Sequence, residues 1–386
     1  MRNFKDLVSQ IYSESPVSLH RPKFDGNEKK YLVECIDSNF VSSVGQRVVD
    51  FETSVAKFTG ARFAIATVNG TAALHISMLL AKIKPGDEVI TQALTFVATS
   101  NAITYSGALP VFIDVDRDTM GMSPLALRKF LESSCEKRDG VIKNRISGRR
   151  IAGCVPMHTF GFPCRIKEIV AICNEWGIPL IEDAAESLGS YVGEQHTGNF
   201  GLLATLSFNG NKIITSGGGG MILTNDEMLA QQAKHLTTTA KIPHAFEFIH
   251  DEIGYNYRMP NLNAALGCAQ LEQLMRFLQI KADIAKKYAK FFQEFPSIKF
   301  IFPILGSRAN YWLNTIILES PAERDAWLAY TNANGIMTRP IWRLMSSLPM
   351  FKNCQHDGLK NSYWLESRVL NIPSSVPDGL VTPIYA

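Results

Sequence analysis

No two cysteines stand in a C-x-x-C spacing, and the seven present (Cys35, Cys135, Cys154, Cys164, Cys173, Cys268 and Cys354) are an odd number. A disulfide framework and a metal site are therefore not expected, which suits a reducing compartment. The opening residues MRNFKDLVSQIYSES hold no long apolar run, so no signal peptide is expected. No apolar stretch approaches the roughly 20 residues of a membrane span. Charge of one sign is scarce too. Thirty-nine basic residues stand against 36 acidic ones, a net of +3. That balance gives no electrostatic reason to expect nucleic acid or an anionic membrane as partner. The densest basic run, Lys143 to Arg150, reads as a solvated loop between two strands. Internal repeats and low-complexity tracts are missing, and no G-x-G-x-x-G follows the first strand, which counts against a dinucleotide-binding dehydrogenase. These absences leave a cytoplasmic globular chain. Its 386 residues, 46% hydrophobic, suffice for a large core and two or three domains.

Residues 1–25 show little periodicity and read as an arm with a short helix. NEKKYLVECIDS and Val49 to Phe58 have helical spacing, the latter closed by Thr59-Gly60. A regular alternation follows. Strands ARFAIATVNG, DEVITQ, LPVFIDVD, RIAGCVPMH and PLIEDAAE are separated by helical stretches, and strands LLATLSFN and GGMILTN come after them. Short apolar strands alternating with helices predict an α/β fold, a mostly parallel sheet covered on both faces. Ligands in such sheets bind at the carboxyl ends of the strands. The tract from Leu262 to Phe295 predicts one long amphipathic helix leading out of this domain. The organisation read is an arm (1–25), a large domain (26–261), and a linking helix with a small C-terminal α+β domain (262–386).

Lys212 lies just after a strand, in SFNGNKIITSGGGG. A surface lysine before a flexible loop is the plain reading. The chemical reading is an amine that condenses with an aldehyde cofactor, activated by a desolvated setting that lowers its pKa. Gly217 to Gly220 would let the backbone approach cofactor and substrate closely. Asp183 ends the apolar run IPLIEDAAE, where a carboxylate is costly unless partnered. A protonated pyridine nitrogen is one partner, and a helix N-cap is the alternative. Glu186, three residues on, could reach the phenolic edge of the same ring. Asn69-Gly70-Thr71 closes a strand and opens a helix, a place that favours a phosphate but also a common turn. Ser207 adds a hydroxyl on a neighbouring strand. Phe96 is a candidate to stack on the ring, with core packing as its other reading.

The segments GNEKKYL, FVSSVGQRVVDFE, NGTAAL, TFVATSNAI, PVFIDVD, EDAAES, SFNGNK, GGGGMI and GYNYRMPNLNAALG, in this order, cover almost the whole chain. Through them the chain resembles the sugar-nucleotide aminotransferases of the DegT/DnrJ/EryC1/StrS family. The resemblance implies the type I aspartate-aminotransferase fold and pyridoxal 5'-phosphate as cofactor. Lys212 would form the Schiff base and Asp183 pair with the ring nitrogen. Glu186 would face the pyridoxal hydroxyl, where relatives often carry glutamine. Phe96 would stack on the ring, and Gly70, Thr71 and Ser207 would bind phosphate. Asn256 would reach the phosphate of a neighbouring subunit, with Arg258 a weaker candidate, so a homodimer with shared active sites is implied. The alternative for Asn256 is a cap on the helix beginning near Leu262. One departure stands out in RPIWRLMSSLPMF: Ser346 occupies a place where relatives usually carry histidine near the sugar nucleotide. FVSSVGQ and RPIW look most like enzymes making UDP-4-amino-4,6-dideoxy-N-acetyl sugars for surface glycans. GDP- or dTDP-linked sugars remain open as substrates, and glutamate is the expected amine donor. Relatives that dehydrate sugars carry histidine in place of the lysine, so Lys212 argues against that reaction. Intact Lys212, Asp183 and Ser207 argue against a non-catalytic descendant.

Overall fold

The computed structural model describes residues 1–378. Three helices open the chain: α1 (Arg2–Ile11), α2 (Glu28–Asp37) and α3 (Gln46–Thr59). The alternation that follows runs β1 (Phe63–Thr67), α4 (Gly70–Leu80), β2 (Glu88–Gln92), α5 (Val97–Tyr105), β3 (Leu109–Ile113), α6 (Pro124–Ser134), β4 (Ile151–Val155), α7 (Ile166–Trp176), β5 (Ile181–Asp183), β6 (Leu203–Ser207), β7 (Gly220–Thr224) and α8 (Glu227–Thr237). Then come α9 (Asn261–Phe292), β8 (Asn314–Ile317), α10 (Pro321–Ala333), α11 (Lys360–Glu366) and β9 (Val369–Ile372). Side-chain caps fix several starts. Asn69, Ser123, Asp226 and Ser320 each accept a hydrogen bond from a backbone N–H three residues on. Gly60 and Gly177 close α3 and α7 in the left-handed conformation.

The first seven strands form one sheet. β3, β2 and β4 pair in parallel, and so do β5 and β6. Parallel bridges Cys154–Leu180 and Met157–Asp183 join the two groups. β7 lies antiparallel between β6 and β1. The order is thus β3-β2-β4-β5-β6-β7-β1, parallel except for β7. Every residue of β2, β4 and β7 is buried, as expected for strands covered on both faces. β8 and β9 pair antiparallel in a second, four-stranded sheet with Lys299–Phe300 and Arg339–Pro340. The 32-residue α9 connects the two. Near its start Gly267 lets the Phe51 ring of α3 against the helix, since a Cβ there would fall 2.7 Å from that ring. Its later residues Ile280, Ile284, Tyr288 and Phe292 share a core with the second sheet.

Several expectations need correction. Residues 1–25 do carry a period: Phe4, Val8 and Ile11, one face of α1, are buried. Phe4 meets the rings of Tyr288, Phe291, Phe292 and Trp327 at 5.2–6.0 Å between centroids. The arm is therefore docked on the end of α9. The basic run is not simply a loop. Lys143 and Asn144 belong to a hairpin of Cys135–Arg138 with Val141–Asn144, and Arg150 pairs with Asp87 at 2.5 Å. Helices α8 and α11 and strand β9 were not anticipated. Among the described residues no helix is long and apolar enough to cross a membrane. If the α1 face holds the arm as the packing indicates, Phe4→Ala should destabilise the chain by about 3–5 kcal/mol. A lowered urea midpoint checks this, and an unchanged one would show that α1 is not docked in solution.

Candidate active site

Four strand ends converge on one chamber of about 310 Å³. From the end of β1 come Asn69, Gly70 and Thr71, from the loop after β2 comes Phe96, from the end of β5 come Asp183 and Glu186, and from β6 come Ser207 and Lys212. All lie at carboxyl ends, where the sheet's topology places ligands.

At one side of the chamber is a cradle of donors. The first four N–H groups of a helix have no partner within it. In α4 the Asn69 side chain takes the Ala72 N–H at 2.8 Å, and the Asn69 carbonyl takes that of Ala73. Gly70 and Thr71, whose N–H groups have no acceptor among the described residues, line the chamber with Ser207. A Cβ on Gly70 would fall 3.0 Å from the Ser207 Cβ and 3.3 Å from its hydroxyl, so glycine is what allows this approach. Helix dipole, free N–H groups and hydroxyl together favour an anion.

Across the chamber, the Lys212 Nζ lies 3.1 Å from Glu186 Oε1 and 4.1 Å from the centre of the Trp312 ring. Its side chain is 12% exposed. The amine is thus largely removed from solvent, with a carboxylate and an aromatic face beside it. Glu186 is buried, and its second oxygen accepts the Phe160 N–H at 2.9 Å. Burial raises its pKa to about 7, against the pull of Lys212. Asp183 is 2% exposed. Burial raises its pKa as well, opposed by hydrogen bonds from Thr99 at 2.7 Å and the Ala185 N–H at 3.2 Å. The bond from Ala185 is a local turn contact, so Asp183 does not serve as a helix cap. Phe96 is not core: its ring is 47% exposed, at the chamber wall and 6.1 Å from that of Trp342.

Gly217 to Gly220 have a different task from the one expected. None lines the chamber. A Cβ on Gly220 would fall 2.4 Å from the Asn69 backbone, and one on Gly219 2.2 Å from the Ser216 hydroxyl. Gly220 lets β7 lie against the turn that opens α4, and Gly219 leaves room for the Ser216 hydroxyl. Asn256 also lies outside the chamber of its own chain, exposed and bonded to Arg258 at 3.2 Å. It does not cap α9, which starts at Asn261 after Pro260 without a side-chain cap. Ser346 sits in a short 3-10 turn with its hydroxyl buried and without a hydrogen-bond partner among the described residues.

The sequence reading missed several lining residues, among them Asn211, Trp312 and Trp342. The same three border a second chamber of about 560 Å³, walled by His20, Phe160, Arg324, Arg339 and Arg343. Trp312 is tied in by its indole N–H, which donates to the Asn211 carbonyl at 2.7 Å. The sequence offered one signal, the polar-flanked aromatics of NYWLN, but not the long-range pairing.

Comparison with known proteins gives a consistent result. A model of the DegT/DnrJ/EryC1/StrS aminotransferase family matches residues 22–377. GDP-perosamine synthase of Vibrio cholerae is 36% identical over 363 residues, 93% of this chain and 94% of that protein. Among solved structures, the aminotransferase TlmJ from Streptoalloteichus hindustanus superposes with a TM-score of 0.84 at 25% identity, covering 93% of each chain. A DegT DnrJ EryC1 StrS aminotransferase from Brucella abortus gives 0.80 at 26% identity, covering 90% of each.

The elevated pKa of Glu186 has a consequence for stability. An unfolded carboxyl titrates near the ordinary 4.5, whereas the folded one holds its proton to about 7. Between these values the folded state binds more protons, so its stability falls as pH rises. Glu186→Gln removes this slope while keeping an acceptor for Phe160. Relative to the variant, the cofactor-free wild-type protein should lose roughly 3 kcal/mol between about pH 4.5 and 7. Parallel urea titrations of both proteins across that window check it, and identical slopes would contradict it.

Proposed function

The chain belongs to the DegT/DnrJ/EryC1/StrS aminotransferase family, and within it we propose that the protein transfers an amino group to C4 of a nucleotide-linked 4-keto-6-deoxy sugar. It is a pyridoxal-phosphate-dependent sugar aminotransferase, as its family and relatives are. The residues of the chamber fit the cofactor. A cradle that a single Cβ on Gly70 would obstruct faces a lysine amine, with a buried carboxylate between them in the fold. In this reading Gly70, Thr71 and Ser207 hold the phosphate, Phe96 covers the ring, Asp183 pairs with the ring nitrogen and Glu186 faces the phenolic oxygen. When bound, the cofactor supplies a ring that withdraws electrons from the carbon being aminated or deaminated. Lys212 contributes an amine that attaches the cofactor and, once released, carries protons as general acid and base. The observation that carries the reading is the 3.1 Å pair of Lys212 with Glu186 in the same chamber as Asp183.

In this reading the second chamber takes the substrate. Three arginines around its wall make it attractive to an anion such as a nucleotide diphosphate, and Trp312 and Trp342 stand between it and Lys212. The sequence resemblance favours a UDP-linked, N-acetylated sugar. The perosamine synthase relatives favour a GDP-linked one, since they cover 93% of the chain. Glutamate is the proposed donor. The enzyme should be supplied with glutamate and 4-keto-6-deoxy sugars on UDP, GDP and dTDP, with products weighed by mass spectrometry. An aminated product from one of them is expected, and none from any would refute the sugar assignment. Borohydride should attach the cofactor to the peptide carrying Lys212. Attachment at another lysine would overturn the role of this residue.

We also infer a homodimer with shared sites, supported by the exposure of Asn256 away from its own chamber. Mixing Lys212→Ala with Asn256→Ala protein under subunit exchange should yield heterodimers with one intact site. Activity should climb toward half the wild-type value per heterodimer. No recovery, with exchange verified by mass, would mean that each chain builds its own site.

A further inference from the structure

Asp183 is held by more than its own loop. Thr99 lies in the first turn of α5, and its hydroxyl is 2.7 Å from Asp183 Oδ2. Thr95, one turn earlier, has its hydroxyl 2.8 Å from that of Thr99. Both threonines are fully buried. An ionised carboxylate can only accept, so Thr99 donates to it and is left to accept from Thr95. The other acceptor near Thr95 is the Met157 sulfur at 3.0 Å. A thioether accepts weakly, so the Thr95 proton is better placed on the Thr99 oxygen. The chain Thr95 to Thr99 to Asp183 then runs in one direction. Each bond polarises the next, and the last is charge-assisted. With Ala185 N–H on Oδ1, each oxygen of Asp183 has one donor from the protein. One face of the carboxylate stays open toward the chamber.

We propose that Thr99 is a positioning residue for the aminotransferase reaction: its hydroxyl, oriented by Thr95, keeps Asp183 ionised and aimed so that it can hold a proton on the nitrogen of the cofactor ring. The two hydroxyls oppose the desolvation of a carboxylate that would otherwise be driven toward its neutral form. A neutral Asp183 would have no charge with which to retain that proton. This rests on the reading of the chamber as a pyridoxal-phosphate site with Asp183 at the ring nitrogen.

The experiment uses the full-length protein loaded with cofactor labelled with nitrogen-15 in the ring, whose NMR signal reports protonation. Borohydride attachment to Lys212 is measured on the same samples. Thr99→Val removes the hydroxyl at nearly constant shape, Thr99→Ser keeps it, and Thr95→Val removes only the hydroxyl that orients it. Thr99→Val should still attach cofactor at Lys212, but with the nitrogen signal moved toward the unprotonated position. Its kcat should fall on the order of tenfold to a hundredfold, as for loss of an outer-shell partner, with little change in KM for the sugar. Thr99→Ser should restore both signal and kcat. Thr95→Val should shift the signal in the same direction by less, and it decides the matter should Thr99→Val fail to fold. An unshifted signal in Thr99→Val or in Thr95→Val, with Lys212 still labelled, would overturn the proposal while leaving the cofactor site standing. Failure of wild-type protein to label at Lys212 would overturn both.

Discussion

Two adjacent buried carboxylates at the end of β5 set the terms for the rest of the site. Successive residues of a strand point to opposite faces of the sheet. Glu182 and Asp183 are therefore forced apart, although they are neighbours in sequence and almost fully buried. Each needs its own solution to the cost of desolvation. Glu182 is satisfied structurally. It accepts from His158 Nε2 at 3.0 Å and from the N–H groups of Gly198, Phe200 and Gly201. Burial pulls the His158 pKa down, but the negative partners around it outweigh this and lift it to about 10. The bond from His158 Nε2 to Glu182 ties the tail of β4 to β5, and the Glu182 carboxylate holds the 198–201 loop. Among the described residues Asp183 has no such counter-ion in hydrogen-bond contact, but a threonine and a local N–H. In the proposed reading, a carboxylate left this way in a closed sheet would receive the protonated ring nitrogen of the cofactor.

One wall of the chamber comes from the segment that enters the other sheet. Trp312 precedes β8, yet its ring lies under the amine of Lys212, which follows β6. Its position is fixed at both ends: the indole N–H by the Asn211 carbonyl, and its own carbonyl by Lys281 Nζ at 3.3 Å. Lys281 is 1% exposed, on α9, and also donates to the Ser374 carbonyl. Burial without a carboxylate partner lowers its pKa to about 7. One side chain of the connecting helix thus holds the strand entries of the second sheet in register with the chamber of the first. The long helix serves as a brace whose inward face is mostly apolar and buries Asn261, Gln270 and Lys281 as its polar side chains.

The parts of this arrangement visible in the sequence were those written locally. A strand pattern that stops on a polar residue announces a strand end, and in a parallel sheet all such ends face one side. Asn69-Gly70-Thr71, Phe96, Asp183, Ser207 and Lys212 could be gathered on that logic alone. What could not be gathered depends on pairs far apart in the chain. Thr99 meets Asp183 across 84 residues, and Asn310 donates to the Glu186 carbonyl across 124. No local period encodes such pairs. Two errors had local causes. Phe4, Val8 and Ile11 are spaced as a helix face, but ten residues of low overall hydropathy hid the stripe. The four glycines suggested room for a ligand, whereas the same absence of a Cβ answers equally well to a backbone neighbour, here the Asn69 turn.

Glu186 shows how tightly the two chambers are joined. Its Oε1 meets the amine of Lys212, and its Oε2 meets the N–H of Phe160. Phe160 has φ 57°, a left-handed backbone that costs about 1–3 kcal/mol for a residue with a side chain. The next residue has φ 90° and has to be glycine, because a Cβ on Gly161 would fall 1.8 Å from Asn310 Oδ1. Such a turn persists only where its surroundings hold it. The holders are Glu186 on the Phe160 N–H and Ser190, whose hydroxyl donates to the Gly161 carbonyl at 2.7 Å. The turn in its place sets the Phe160 ring 4.8 Å from that of Trp342, at the border of the second chamber. A carboxylate that faces the Lys212 amine thereby also holds a wall of the second chamber. Any change in its charge is felt on both sides at once. An amide could make the Phe160 contact but could not draw an ammonium to Oε1 with equal strength, so a carboxylate here couples the state of the lysine to the shape of the adjoining chamber.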